Sequence, residues 1–240
     1  MPHLMKVMVL FSILSSIGYS ISAEEITAQA EQVRGPDGAY SFQVRVKDYE
    51  KGKLQKENLY QVYSKNRKFT LIETIFPERQ SGRKLLMAGG LWLYLPSLKR
   101  PTRVASQQRL TGEVSNGDIA KTNFHQDYHS RLLGLKKIKG ESLYHLELLA
   151  KDNKAPYRKI HLFVERSTFI PRRADFFAIS GKLLKTGEYS ELKNVFGKPR
   201  LTKLVIKDAI QPSKQSHLLY SNFKREKLDD SFFNKDALGD

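Results

Sequence analysis

The sequence contains no cysteine, a single tryptophan and four methionines among its 240 residues. Without cysteine the chain can form no disulfide, no thiolate metal site and no catalytic thiol, so its stability must come from an apolar core. It also lacks an apolar run of about 20 residues, the length that a membrane-spanning helix needs. Acidic residues are outnumbered, since 25 Asp and Glu stand against 41 Lys and Arg, which gives a formal net charge of +16.

An apolar run near the start has the form of an export leader. Lys6 precedes about eleven apolar residues at 7–17, and Ile21-Ser22-Ala23 supplies small residues just before Glu24. This pattern predicts a cleaved signal peptide over residues 1–23 and a single mature domain over residues 24–240. A bacterial lipoprotein would need a cysteine directly after the cut. We therefore expect release into the cell envelope as a soluble protein.

The basic balance indicates either an anionic partner or a well-solvated surface. Inside a cell it would suggest nucleic acid, whereas the polyanions of an envelope are mainly the head groups of phospholipid and lipopolysaccharide. We expect no nucleic-acid partner. Two interpretations stay open, namely contact with an anionic membrane surface and a basic surface that only keeps the protein in solution.

The chain has one early helical segment and is otherwise patterned as β-strands. Residues 24–34 place Ile26, Ala30 and Val33 on one helical face, and Gly35-Pro36 ends the segment. From there alternating aromatic and β-branched runs recur up to residue 223, which predicts about eleven antiparallel strands and a mainly β fold. Residues 107–124 suggest a loop with a short helix, and residues 230–237 a second short helix. So little helix over so wide a sheet leaves open an incompletely filled apolar cavity or a tightly packed core.

Two motifs could carry chemistry, but their spacing argues against both. His125, Asp127 and His129 would share one face of a strand and are ligands that zinc accepts. Alternate residues of a strand lie roughly 7 Å apart, so three of them do not converge easily on one ion, and a solvated strand entrance is favoured. Residues 112–117 have the glycine spacing of a phosphate loop, but Asp118 stands where lysine is required. We expect no metal, no cofactor and no enzymatic activity.

Several phrases along the chain occur in an order that resembles one known family. The first is the amphipathic helix ending in Arg34-Gly35-Pro36, and the second is residues 91–96 with basic residues after them. The others are Asn116-Gly117-Asp118-Ile119, Asp127-Tyr128, Arg131-Leu132-Leu133-Gly134, Tyr157 with residues 160–164, Ile170-Pro171, residues 180–186, Phe232-Phe233 and Leu238. In this order they resemble the LolA-like family of outer-membrane lipoprotein-sorting proteins, in its larger variant, over most of the mature chain.

The resemblance implies a fold and a function. The fold would be a strongly curved, half-open antiparallel sheet, with a few helices covering a hydrophobic cavity for acyl chains. The function would be that of a periplasmic carrier, which receives a lipidated client from transport proteins at the inner membrane and surrenders it at the outer one. The sequence departs from the family after Gly117-Asp118, where Ala120-Lys121-Thr122-Asn123 replace a hydroxyl, an aromatic and acids. The client and the residue that gates the cavity therefore stay open.

Alternation combined with this resemblance predicts two sets of site residues in a monomeric carrier. The lining of the acyl cavity is predicted to be Phe42, Val44, Val46, Leu71, Trp92, Tyr94, Leu162, Val164 and Phe176. Contact with anionic head groups or an acidic partner is predicted for Lys99, Arg100 and Arg103. An envelope interaction or sensor module of the same fold, or an exporter adaptor, is the main alternative. A hydrolase using His125, Asp127 or His129 is a weaker one.

Overall fold

The computed structural model describes residues 21–120, 123–153 and 155–239. Within these ranges the chain forms fifteen strands and three short α-helices. The strands are β1 (Ala39–Glu50), β2 (Lys53–Lys65), β3 (Phe69–Phe76), β4 (Lys84–Met87), β5 (Leu91–Tyr94), β6 (Pro101–Arg103), β7 (Arg109–Thr111), β8 (Val114–Ser115), β9 (Tyr128–Ile138), β10 (Glu141–Ala150), β11 (Lys159–Glu165), β12 (Pro171–Phe177), β13 (Leu183–Val195), β14 (Lys198–Asp208) and β15 (Lys214–Arg225). The helices are α1 (Ala23–Arg34), α2 (Asn116–Ala120) and α3 (Phe124–Asp127).

One 13-stranded antiparallel sheet contains most of these strands, and β7 and β8 form a separate hairpin. The mainly β fold with a curved, half-open sheet is therefore confirmed, but the count of about eleven strands is wrong. One strand of the large sheet that alternation could not reveal is β6, which has three residues and begins with proline. It forms only because Pro101 and Arg103 pair with Tyr94 and Trp92 of β5.

The order of the strands explains how the sheet comes to be covered. It runs β6-β5-β4-β3-β2-β1-β15-β14-β13-β12-β11-β10-β9, so the first and last strands pair near the middle. In that pair Val44 lies opposite Tyr220, and Val46 lies opposite Leu218. β6 and β9 become the two edges, and the sheet does not close into a barrel. Between these edges the described residues 104–120 and 123–127 lie over a face of the sheet.

The helix α1 forms where the sequence predicts it and lies on that same face. Ser22 caps it, because its hydroxyl accepts the Glu25 amide at 3.1 Å while the Glu25 carboxylate accepts the Ser22 amide at 2.9 Å. Ile26 and Ala30 are fully buried on the face turned to the sheet. The helix contacts β9, β12, β14 and α3, so it crosses the half of the sheet that follows residue 127.

The predicted signal peptide falls mostly on residues 1–20, which lie outside the described residues. Ser22 and Ala23, the last residues before the predicted cut, already belong to the cap and first turn of α1. Within the described ranges, no helix has the length and the apolar character needed to cross a membrane.

The larger apolar core fills the space between the sheet and its cover. It joins side chains of α1, of residues 104–127 and of the concave face of the sheet. Val44, Val46 and Ile160 are among its fully buried members. Many residues on this face have no solvent-exposed surface, so the concave side is largely filled by the protein's own side chains.

A second, smaller core covers the opposite face of β2 to β5. Two 3₁₀ turns, Asp230–Phe233 and Lys235–Ala237, stand where the sequence predicts a short helix, and they bring Phe233 and Leu238 onto this face. Strand alternation sends Leu71 to this second core and its neighbour Ile72 to the first. This accounts for the strand β5, which is apolar on both sides because both of its faces are covered.

We predict that Phe233 contributes strongly to stability and that its neighbour contributes much less. Phe233 is 3% exposed and stacks on Phe69 with 5.3 Å between ring centroids, whereas Phe232 is 41% exposed. Phe233→Ala should lower the free energy of unfolding by about 3 kcal/mol, the lower end of the cost for a buried phenylalanine. Urea unfolding followed by circular dichroism measures this loss, with Phe232→Ala as the matched control. Equal losses for the two variants would contradict the packing described.

Candidate functional site

The candidate site is the concave face of the sheet together with the two elements that lie on it. α1 covers the side of β9, β12 and β14, and α2 contacts β3 and β4 on the other side. Together they form a cover, which we define as α1 plus the described residues 104–120 and 123–127. These residues share no strand ladder with the large sheet, since β7 and β8 pair only with each other. Apart from backbone hydrogen bonds at the two ends of the segment, at Val104 and Asp127, side-chain contacts hold the cover in place.

The first of these contacts is a buried ion pair beneath α2. Asp118 Oδ2 lies 2.5 Å from Lys185 Nζ of β13, and both side chains are buried. Tyr157 donates its hydroxyl to the other carboxylate oxygen, Oδ1, at 2.5 Å, and the Ser115 amide donates to Oδ2 at 2.7 Å. Burial and the charge of Asp118 raise the pKa of Tyr157, so its hydroxyl keeps the proton that it donates.

A second contact fixes the β7–β8 hairpin to the central strands. The Asp48 carboxylate of β1 accepts the Thr111 hydroxyl at 2.7 Å and the Ser216 hydroxyl at 2.6 Å. Gly112 follows with a φ of +46°, and a Cβ there would lie 2.0 Å from the Asp48 carboxylate. Only glycine allows the turn to approach the carboxylate so closely.

A third contact ties the two parts of the cover to each other. Glu31 of α1 accepts the backbone amide of Phe124 at 2.9 Å and pairs with Arg34 at 3.0 Å. The Arg34 guanidinium lies 3.9 Å from the centre of the Phe124 ring, a cation–π contact. Near the other end of α1, the Thr27 and Ser130 hydroxyls lie 2.8 Å apart and connect the helix to β9.

A cavity of about 120 Å³ lies under the C-terminal end of α1. Aromatic side chains form much of its wall, and polar and charged groups form the rest. Phe42 stacks on Tyr40 with a centroid distance of 5.6 Å and lies 6.1 Å from Tyr220. The wall of this cavity consists of Glu31, Arg34, Gly35, Tyr40, Phe42, Val62, Ser64, Arg67, Thr70, Asp118, Ile119, Asn123, Tyr189, Leu201, Lys203 and Tyr220.

The residues predicted to line an acyl cavity fall into three groups. Phe42 lines the cavity just described. Five more belong to the concave core and are buried there: Val44, Val46, Leu162, Val164 and Phe176. The last three lie in the second core, on the opposite face of the sheet: Leu71, Trp92 and Tyr94. These nine side chains therefore do not share one surface.

The residues predicted to meet anionic groups lie apart from the cavity wall. Lys99 and Arg100 occupy the exposed turn between β5 and β6, and Arg103 is the exposed last residue of β6. Their partners stay a prediction.

The three residues weighed as a metal site or a hydrolase centre are not on one strand. His125 and Asp127 belong to α3, and β9 begins only at Tyr128, so His129 is separated from them by a change of secondary structure. Both histidines are exposed. The described ranges contain no group of three or more His, Cys, Asp or Glu side chains arranged to hold a metal ion. The predicted strand entrance at His125 is wrong, since a helical turn occupies it.

Sequence reasoning missed the ion pair of Asp118 and Lys185, although a signal for it exists. In β13 the inward positions alternate as Lys185, Gly187 and Tyr189, so the lysine falls on the buried face. A lysine is rarely buried unless it is paired, and this register therefore calls for a carboxylate from elsewhere in the chain. Nothing local indicates which carboxylate that is, because the two residues are 67 positions apart.

Solved structures with this architecture are known from several bacteria. A LolA superfamily protein from Nitrosomonas europaea is 36% identical to this chain and superimposes with a TM-score of 0.85. The match covers 90% of this chain and 99% of the Nitrosomonas protein. An outer membrane lipoprotein-sorting protein domain from Vibrio parahaemolyticus is 20% identical over 91% and 98% of the two chains, with a TM-score of 0.76. A DUF1329 family protein from Desulfovibrio piger is 21% identical over 90% and 97%, also with a TM-score of 0.76.

These similarities identify the class of protein. The two more distant structures share the fold, while the identity to the Nitrosomonas protein extends over nearly the whole of both chains. This chain belongs to the LolA superfamily, as its sequence pattern predicts. A model for a family described as uncharacterized protein-like also matches residues 66–240. A search of curated proteins finds no match.

We predict that the two members of the buried ion pair are strongly coupled. Lys185→Met alone leaves a buried carboxylate without its cation and should cost about 3 kcal/mol of unfolding free energy. Adding Asp118→Asn removes that stranded charge, so the double variant should lose clearly less than the two single variants together. A double-mutant cycle in urea measures the coupling.

The matched control is the exposed pair of Lys139 and Glu188, whose charged atoms lie 3.1 Å apart. Lys139→Met should cost less than about 1 kcal/mol, as is usual for pairs open to solvent. Additive effects of Asp118→Asn and Lys185→Met would contradict the role of this pair in holding the cover.

Proposed function

We propose that this protein binds the acyl chains of a lipid or lipoprotein on the concave face of its sheet and carries them toward the outer membrane. The observation that supports this most is the cover. It lies on an apolar sheet face, where apolar packing and a few polar contacts hold it, and the described residues form no strand ladder between cover and sheet. A cover held in this way can separate from the sheet without breaking the sheet itself.

An acyl chain requires such a movement. The cavity of about 120 Å³ is smaller than the 300–1,000 Å³ of ordinary ligand sites. A chain of about ten methylenes gains roughly 8 kcal/mol on burial before the costs of ordering are subtracted. The polar contacts of the cover each contribute about 1 kcal/mol net. Ligand burial can therefore offset the loss of several contacts and shift the cover toward an open arrangement.

The cellular setting completes the proposal. A leader over residues 1–23 would direct the mature chain, 24–240, to the periplasm as a monomeric, single-domain carrier. Transport proteins at the inner and outer membranes would act as donor and acceptor, as the lipoprotein-sorting description of the Vibrio relative suggests. In this proposal the acyl chain is bound and released without any covalent bond being made or broken. We therefore propose a carrier and not an enzyme.

An interaction module of the same fold is a second candidate, and the edge strand β9 is the observation that favours it. Leu132, Leu133 and Leu135 are 37%, 41% and 53% exposed along this strand. Leu132 lies opposite the buried Leu146 of β10, so it stands at the rim of the concave face. An edge with exposed apolar side chains can accept a strand from a partner protein. It can equally receive a client at the rim.

We predict that locking the cover abolishes uptake of an acyl probe. Because the chain has no cysteine, Thr27→Cys with Ser130→Cys introduces one pair where two hydroxyls now lie 2.8 Å apart. The oxidised protein should lose binding of a fluorescent fatty acid by about tenfold or more, and reduction should restore it. Fluorescence titration before and after reduction measures this, with Thr27→Cys alone as control. Undiminished uptake by the oxidised protein would speak against a moving α1.

We predict that the β9 leucines assist transfer and not retention. Leu132→Ser with Leu135→Ser should slow the passage of a fluorescent lipid between vesicles severalfold while leaving the Kd of the probe unchanged. Leu149→Ser is the control, because Leu149 is 40% exposed on the neighbouring strand and pairs with His129, away from the core. Unchanged transfer together with loss of a stable protein complex would favour the interaction module.

A further inference from the structure

We propose that Arg67, in the wall of the cavity, and Arg200, which shares the Gly35 carbonyl with it, form an anion site that holds the carboxylate or phosphate head group of an acyl ligand. The inference rests on the proposed carriage of acyl chains and adds the chemical class of the ligand, an anionic amphiphile. It concerns residues other than the exposed Lys99, Arg100 and Arg103.

Three arginines converge on the loop that joins α1 to β1. Arg67 donates from Nη2 to the Gly35 carbonyl at 2.8 Å, and Arg200 donates from Nη1 to the same oxygen at 3.2 Å. Arg225 donates to the Asp37 carbonyl at 2.8 Å. The three side chains come from the turn after β2, from β14 and from β15, so the fold assembles this group from distant parts of the chain.

The charges of this group do not balance. The Asp37 carboxylate lies 3.1 Å from Arg67 and is the carboxylate that pairs with the group among the described residues. Its side chain is 63% exposed, whereas that of Arg67 is 17% exposed. A carboxylate held mostly in water makes a weak pair, and a ligand anion that reaches the buried side of the guanidinium can replace it.

Arg200 shows the same deficit more strongly. It is 5% exposed, and its Nε has no hydrogen-bond partner among the described residues. Burial lowers its pKa, and the neighbouring Arg67 and Arg225 lower it further, against the opposing effect of Asp37. A guanidinium stays protonated in proteins, so the cost is carried as an unpaired buried donor. An anion within reach of Nε would remove that cost.

The cavity connects Arg67 to an aromatic wall. Gly35, Arg67 and the hydroxyl-bearing Ser64 line one part of it, while Phe42 and Tyr220 line another. The wall also contains the carboxylates of Glu31 and Asp118, which pair with Arg34 and Lys185. Arg67 in one part of the wall and aromatic rings in another match a molecule with an anionic head and an apolar tail. A neutral apolar ligand would leave the Arg200 Nε without a partner.

A purely structural role explains only part of the arrangement. Cations near the C-terminal end of a helix are favoured by its dipole, and the Gly35 carbonyl follows α1 directly. Two arginines on one carbonyl can serve that purpose. Capping does not account for the unpartnered Nε of Arg200, nor for the excess of positive charge.

The test compares two probes that differ only in head group, cis-parinaric acid and its methyl ester, at neutral pH. The wild-type protein should bind the acid about tenfold more tightly, as one added charge-assisted contact allows. Arg67→Gln should bring the Kd of the acid to that of the ester and leave the ester unchanged within about twofold. Arg200→Gln should do the same. If that variant does not fold, Arg200→Lys takes its place, because lysine keeps the positive charge but has no guanidinium Nε. Arg131→Gln is the control, since Arg131 is 69% exposed and pairs with Glu147 outside the cavity.

Each outcome decides between the two proposals. Equal affinity for acid and ester in the wild-type protein overturns the anion site and leaves acyl carriage standing. Binding of neither probe overturns acyl carriage and the inference with it. Competition by inorganic phosphate against the acid but not the ester supports the site. Binding of phosphate without any binding of the acyl probes identifies a free-anion site and overturns the assignment to a lipid head group.

Discussion

The pairing of β1 with β15 is the constraint on which the rest of this structure depends. By joining the first and last strands in the middle of the sheet, it makes β6 and β9 the outer edges. The chain between those edges must then cross the concave face, because β9 continues the same polypeptide from the far side. The cover of the site is thus a consequence of strand order, and α1 completes it from the N-terminal side.

The chemistry beneath the cover suits a part that moves. Apolar side chains of the cover, such as Ile26 and Phe124, pack against the sheet, and the buried ion pair beside them adds little net stability after desolvation. Asp118 and Lys185 give the cover a definite position without making it inseparable from the sheet. The same holds for the carboxylates of Asp48 and Glu31, each of which receives donors from residues 104–127. These few polar side chains therefore fix the position of the cover, and in the proposed carrier they would separate when the cover opens.

Filling of the concave face and carriage of an acyl chain are compatible in this design. While the cover is closed, the protein's own side chains shield the apolar face of the sheet from water. This shielding protects against aggregation through an exposed apolar surface. In the proposed carrier, a ligand chain would replace these contacts with equivalent ones, so the exchange would cost little. The proposed anion site would then select ligands by the charge of the head group, since apolar tails are all alike to an apolar surface.

Much of the fold could be predicted from the sequence, because local patterns encode local structure. The period of residues 24–34 and the following Gly35-Pro36 predicted α1, and alternation from Tyr40 onward predicted the antiparallel strands, while the curvature of their sheet was implied by the family resemblance. The resemblance in phrase order predicted the superfamily. The short strand β6 escaped, since three residues carry no period and their conformation comes from pairing with β5.

The candidate site was decided by the tertiary structure. Alternation shows that Leu71 and Ile72 point to opposite sides, but both sides of β3 are covered, so apolar character cannot say which of them faces the cavity. The partners Asp118 and Lys185, like Arg67 and Arg200, meet only through the register of the assembled sheet. Sequence by itself determined the class of protein and the direction of each side chain along its strand. Which face became the site depended on the path of residues 104–127, because only the folded sheet determines the side over which that segment passes.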